Sequence, residues 1–178
     1  MLSRLYPTIL EIDGLLADVP HDGYAEAIAA AAADPAIVAT LGGIRSGEGA
    51  AGFIARARAH WRETGFGLWF LRDMRDGGFA GWGGLRRCDL AGDRAVEFAY
   101  ALAPRLRCKG NALRLGQTAL QLGFESLALR EIVAVTTAEN QHALGVTARL
   151  GFEYARTLDR PSGPRLVYRR TAAAHTAA

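Results

Sequence analysis

A chain of 178 residues is long enough for one domain with a proper core and too short for two ordinary ones. Half of its residues are apolar and 22% are charged, the balance of a globular chain and not of a disordered one. The net charge of +3 and a pI near 9.2 favour anionic ligands mildly, but no basic stripe interleaved with aromatics runs along any element, which speaks against direct nucleic-acid binding.

Cys88 and Cys108 have neither metal-ligand spacing nor a disulfide framework, so no metal is expected, and a reducing cytosol suits them. Met1 to Asp13 carries Arg4, Glu11 and Asp13, which does not read as a signal peptide. Ala27 to Leu41 is the most apolar stretch; Asp34-Pro35 breaks it and it is too short to span a bilayer. A cytoplasmic protein without a membrane segment is the expectation.

In chain order, Thr8 to Ile12 reads as a short first strand. Asp22 can cap a helix through the alanine-rich stretch to Ala33. Ala50, Phe53, Ile54, Ala57 and Trp61 then fall on one helical face, with Arg56, Arg58, His60 and Arg62 turned away as a solvated face. Three strands follow as a meander: Gly67 to Leu71, Phe79 to Leu85 across the turn Asp76-Gly77-Gly78, and Ala95 to Leu102 after a polar loop from Arg86 to Arg94. Trp61, Trp69 and Trp82 read as core. The glycines around Trp82 mark either a bulge or space beside an acceptor.

A helix from Leu113 to Leu127 carries Gly116 and Gly123 close to its apolar face, which implies tight packing on a sheet or a ligand. Ile132 to Thr136 is a buried strand. Asn140 caps a short helix that Gly151 ends. Phe152 to Leu158 and Arg165 to Arg170 form a hairpin across Arg160 to Pro164, and the tail from residue 172 lacks any apolar period and should be disordered. The order β-α-α-β-β-β-α-β-α-β-β predicts one α/β (α+β) domain over residues 1–171.

The stretch with most chemical content is Arg107-Cys108-Lys109-Gly110-Asn111-Ala112, between the strand closed by Pro104 and the long helix. Free amides in a first helical turn, the positive end of the helix dipole and a Gly without Cβ suit an anion such as a diphosphate. Arg105, Arg107, Lys109 and Arg114 crowd the same place. No Walker A motif and no G-x-G-x-x-G opens this helix. Within Ala95 to Leu102, Glu97 is the only acid. Burial would make its carboxylate a better proton acceptor, while an edge-facing or ion-paired glutamate is the plainer alternative.

Arg107 to Ala112 reads R-x-x-G-x-A, which resembles the acetyl-CoA signature Q/R-x-x-G-x-G/A of the GNAT N-acetyltransferases. Glu97-Phe98-Ala99-Tyr100-Ala101-Leu102-Ala103-Pro104 is similar to the E-φ-G-Y-φ-L-x-P strand (φ apolar) of the ribosomal-protein N-acetyltransferase branch. Asn140-Gln141-His142-Ala143 and Arg149-Leu150-Gly151-Phe152 resemble that branch's N-x-x-S…K-L-G-F helix. The three pieces stand in family order and spacing.

The resemblance implies a GNAT-like single domain with a central mixed, mostly antiparallel twisted sheet of about seven strands and about four flanking helices. It implies acetyl-CoA as co-substrate, amides around Tyr100, Ala101 and Leu102 on the pantetheine arm, amides of Arg107, Cys108, Lys109, Gly110, Asn111 and Ala112 on the diphosphate, Asn140 near the cofactor, and Glu97 as general base. The acceptor would be a primary amine, on a protein N-terminus or a small molecule; family members often dimerise. Two departures stand out. Thr147 replaces the tyrosine that protonates the leaving thiolate in many relatives, and Ala143 replaces the branch's serine, which leaves Tyr100, Tyr154 or an unassisted thiolate. The alternative is a non-catalytic acyl-CoA-binding or regulatory module, which needs the turn but no base.

Overall fold

A computed structural model of the chain describes residues 6–33 and 49–173. Its strands form one mixed eight-stranded sheet in the order β1-β2-β3-β4-β5-β6-β8-β7. They are β1 (Ile9–Ile12), β2 (Leu15–Asp18), β3 (Leu68–Asp73), β4 (Phe79–Leu90), β5 (Asp93–Leu102), β6 (Glu131–Thr136), β7 (Glu153–Leu158) and β8 (Arg165–Thr171). The described helices are α1 (Ala25–Ala33), α2 (Gly49–Thr64), α3 (Asn111–Glu125) and α4 (Gln141–Arg149). The fold class agrees with the expectation; the sheet has one strand more. The Asp34-Pro35 helix stop and the tail beyond residue 173 lie outside the described residues.

The chain divides into two compact units, Pro7–Gly84 with Tyr100–Leu115, and Met1–Tyr6 with Leu85–Ala99 and Gly116–Ala178. In the first, β1, β2, β3 and the start of β4 pair antiparallel. The additional strand, β2, follows a tight Asp13-Gly14 turn with positive φ at both residues, and it buries Leu15 and Ala17 by period-2 alternation. The helical stripe is where periodicity puts it: Phe53, Ile54, Ala57 and Trp61 of α2 are all buried. Asp22 is not the cap. His21 accepts from the Gly23 N–H ahead of a 3-10 turn Asp22–Tyr24, and Asp22 instead pairs with Arg58 at 3.0 Å.

All three tryptophans are core. Trp61 Nε1 donates to the Leu68 carbonyl and Trp69 Nε1 to that of Pro7, each at 2.8 Å, while the Trp82 ring lies 4.9 Å from that of Phe53. Leu71 pairs with Gly81 and Arg72 with Phe79, so Ala80 is an extra residue and the glycines beside Trp82 mark a bulge.

In the second unit β6, β8 and β7 are antiparallel, and β5 joins β6 in parallel through the single pair Glu97 opposite Val133. The segment Arg86 to Arg94 is not a loop: β4 runs on to Leu90, Ala91 and Gly92 turn with φ of +61° and +95°, and β5 starts at Asp93. Helix α3 packs on the sheet. A Cβ on Gly116 would press on Leu150 and Phe98, and one on Gly123 on Ile132 and Leu85. Asn140 Oδ1 accepts from the Ala143 N–H at 3.1 Å, and Gly151 follows α4 at φ +72°, as a helix end requires.

Candidate active site

The predicted anion turn belongs to the unit that holds Tyr100–Leu115. After β5, Pro104 opens a 3-10 turn through Leu106, where its fixed φ and missing N–H cost nothing. The Ala103 N–H donates to Ala80 O at 2.9 Å, Arg107 N–H to Pro104 O at 3.2 Å, and Asn111 Nδ2 to Leu106 O at 2.9 Å. Cys108 and Gly110 then take left-handed φ of +58° and +84° on either side of Lys109. Such alternation is how backbone N–H groups form an anion nest. Glycine adopts it freely, whereas a residue with a Cβ pays roughly 1–2 kcal/mol.

The first backbone bond entering α3 runs from the Arg114 N–H to Gly110 O at 3.0 Å. Among the described residues, the amides of Gly110, Asn111, Ala112 and Leu113 make no backbone hydrogen bond. Four consecutive donors therefore sit at the positive end of a helix of 15 residues.

The side-chain cations differ from the expectation. Arg105 Nη1 is 3.0 Å from Asp73 Oδ2, and Arg114 Nε is 2.8 Å from Asp13 Oδ2, so two of the four predicted positive charges are neutralised by aspartates. Arg107 Nε donates to Leu102 O at 3.1 Å, while Lys109 is exposed. Asp13, Leu15, Asp73, Leu106, Lys109 and Asn111 line a cavity of about 250 Å³.

Asp73 is a hub that the sequence did not reveal. Only 2% exposed, it accepts from Arg75 Nε, Nη2 and backbone N–H (3.1, 2.8 and 3.1 Å) as well as from Arg105. Those bonds, chiefly the Arg75 side chain, hold its carboxyl well below the usual carboxylate range. A depressed folded-state value gives stability that is complete above the ordinary carboxylate pKa and fades as pH falls below about 3.9. Asp73→Asn should therefore melt below the wild type at pH 7, with the gap shrinking on acidification to pH 3. Thermal melts at both pH values check this; a gap that does not change would deny the ion-pair role.

In the same unit Ala101 and Leu102 are buried and Tyr100 is half-buried. Burial pushes the Tyr100 hydroxyl up to about 12, so it stays protonated at neutral pH.

Glu97 and Asn140 lie in the other unit. Glu97 is 7% exposed, and both Arg86 Nε and Nη2 are 2.9 Å from its Oε2. The burial expected from its apolar strand is present, and so is the ion pair offered as the alternative. Arg86 escaped the sequence reading because Arg86 to Arg94 looked like a loop. Cys88 is half-buried, and burial followed by the Glu97 charge pushes its thiol up to about 11, which makes it a poor nucleophile.

Asn140 performs its capping role, so Asn140→Ala should cost about 1 kcal/mol and lower Tm by roughly 2–4 °C in a thermal melt. Thr147 is buried and its main-chain carbonyl accepts from Phe152 at 3.1 Å. Tyr154 is 57% exposed, with its hydroxyl 2.8 Å from Thr157 Oγ1. His142 is exposed, an ordinary position on α4. At the end of β6 the buried Thr136 Oγ1 has no hydrogen-bond partner. Among the described residues no group of three or more His, Cys, Asp or Glu is placed to hold a metal, and no helix is long and apolar enough to cross a membrane.

Comparison with known proteins bears on the family and the fold. A family model described as "Acetyltransferase (GNAT) domain" matches residues 16–153. Among solved structures, the chain is similar to a GNAT-family acetyltransferase from Bordetella pertussis at TM-score 0.78 and 18% identity, covering 93% of this chain and 100% of that one. RimJ of Mycobacterium smegmatis, in complex with CoA-disulfide, matches at TM-score 0.73 and 19% identity, over 93% and 86% of the two chains. The microcin C7 self-immunity acetyltransferase MccE, in complex with acetyl-CoA and AMP, matches at 0.74 and 15%, over 96% and 99%.

Proposed function

We propose that this chain, which belongs to the GNAT acetyltransferase family, moves an acetyl group from acetyl-CoA to a primary amine on a protein N-terminus or a small molecule. The observation that carries the reading is the run of four unbonded amides at the start of α3, in a turn held by Pro104, Asn111 and the left-handed Gly110. A diphosphate needs several convergent donors and no counter-charge from a metal, and this turn fits it.

In this proposal the amides of Arg107 to Ala112 take the diphosphate and backbone groups of Tyr100 to Leu102 take the pantetheine arm. Asn140 serves near the cofactor as well as capping α4. Glu97 is the general base: it accepts the proton as the amine nitrogen attacks the thioester carbon. The N–C bond forms, the C–S bond breaks, and CoA leaves as thiolate. Arg86 engages Oε2 of Glu97, so the proton goes to Oε1. Thr147 supplies no general acid, and a thiol of pKa around 8.5 is an acceptable leaving group without one.

The Arg86–Glu97 pair also gives weight to a second reading, a non-catalytic acyl-CoA-binding module in which that glutamate is structural. Calorimetric titration with acetyl-CoA, followed by thiol release on a panel of N-terminal peptides and small amines, separates the two. Binding with thiol release supports the enzyme, and binding without release on any acceptor supports the module. No binding would refute both.

A further inference from the structure

In the unit that holds β6, a second cleft of about 480 Å³ opens where β5 and β6 part company. Their parallel ladder is confined to Glu97 opposite Val133, so the N-terminal ends of both strands flank a gap. Arg87 of β4, Arg94 of β5 and Arg130, just before β6, line it, with Glu131 the only acid in its wall. Leu85, two residues before Arg87, packs on Gly123 of α3, which places the Arg87 side of β4 on the same sheet face as that helix.

Several arginines outside this cleft are tied to acids. Arg58, Arg75, Arg86, Arg105, Arg114 and Arg156 each have an aspartate or glutamate partner. Arg94 and Arg130 have none among the described residues, although they share one cleft with Arg87. Arg130 is also held in place from both sides: the Leu129 N–H donates to Gly123 O, and Arg130 O accepts from Ala172, each at 3.0 Å. Three arginines and a single glutamate in one concave wall give a local excess of positive charge that concentrates an anion. Guanidinium forks bind phosphate oxygens in bidentate fashion.

We propose that this cleft is a second anion site, for a small phosphate-bearing ligand, separate from the turn before α3. Its volume suits a phosphorylated metabolite and not a folded partner. The claim does not depend on the acetyl-transfer reading.

The test is an amide-resolved NMR titration of the full chain with inorganic pyrophosphate, repeated on the double variant R94S/R130S. Both substituted residues are exposed, so the variant should melt like the wild type. Saturable shifts at residues 94–96 and 130–131, weakened at least tenfold in the variant, are expected. Shifts confined to residues 110–113, or cleft shifts that persist unchanged in R94S/R130S, would overturn the proposal.

Discussion

Glu97→Gln is expected to lower turnover roughly 100-fold at saturating amine, with acetyl-CoA affinity unchanged, because general-base catalysis contributes on that scale. Glutamine is the right substitution here. It keeps the size of the side chain and an oxygen for the two Arg86 donors, both 2.9 Å from Oε2, so the partly buried guanidinium stays bonded. Alanine would instead leave Arg86 without its partner, and the penalty for an unpaired, partly buried charge would mix stability with chemistry. Calorimetry with acetyl-CoA on the same sample isolates the catalytic part. Turnover near the wild-type value would take Glu97 out of the mechanism and leave its ion pair as a structural feature of β4 and β5.

What the sequence made legible depended on whether local signals agreed with one another. For α2, period and burial coincide, and Phe53, Ile54, Ala57 and Trp61 lie in the core as their spacing requires. Asn140 and Gly151 bracket α4 because a cap and a left-handed stop act within a few residues. The second half of β4 was hidden for the opposite reason. Arg86, Arg87 and Asp89 look like a loop, and the turn that follows puts Ala91 at φ +61°, a conformation that alanine does not advertise. With that strand misread, Arg86 could not be recognised as the partner of Glu97.

The anion turn was legible to the extent that it is made of backbone. Pro104 and Gly110 give away the change of direction, and the free amides follow from the helix start itself. Its electrostatics were not legible. Asp73 and Arg105 are 32 residues apart, and Asp13 meets Arg114 only because the β1–β2 hairpin forms. A run of cations is visible in any sequence, but which of them remain available to a ligand is decided by acids that the fold brings in from elsewhere.

Gly81→Ala is expected to destabilise the protein by more than about 2 kcal/mol, since two penalties of roughly 1–3 kcal/mol each apply. Gly81 has φ +126°, which a residue with a Cβ adopts only under strain. A Cβ there would also collide with the Ala101 carbonyl oxygen and come within 3.0 Å of Leu102 Cα. These neighbours are backbone, and the chain just beyond is tied back by the Ala103 N–H to Ala80 O at 2.9 Å, so neither strand can yield as a side chain would. Gly116 is a useful contrast. There the obstacle is the tip of the Leu150 side chain, which can change rotamer, so Gly116→Ala should cost less. At roughly 2–4 °C per kcal/mol, Gly81→Ala should lower Tm by at least about 4 °C. Because Ala101 and Leu102 belong to the segment proposed to hold the pantetheine arm, acetyl-CoA affinity should fall with it, whereas Gly116→Ala should leave affinity intact. Melting and calorimetry on the two variants check both statements, and a Gly81→Ala protein that melts and binds like the wild type would show that the close approach of β4 to Ala101 is not what shapes that segment.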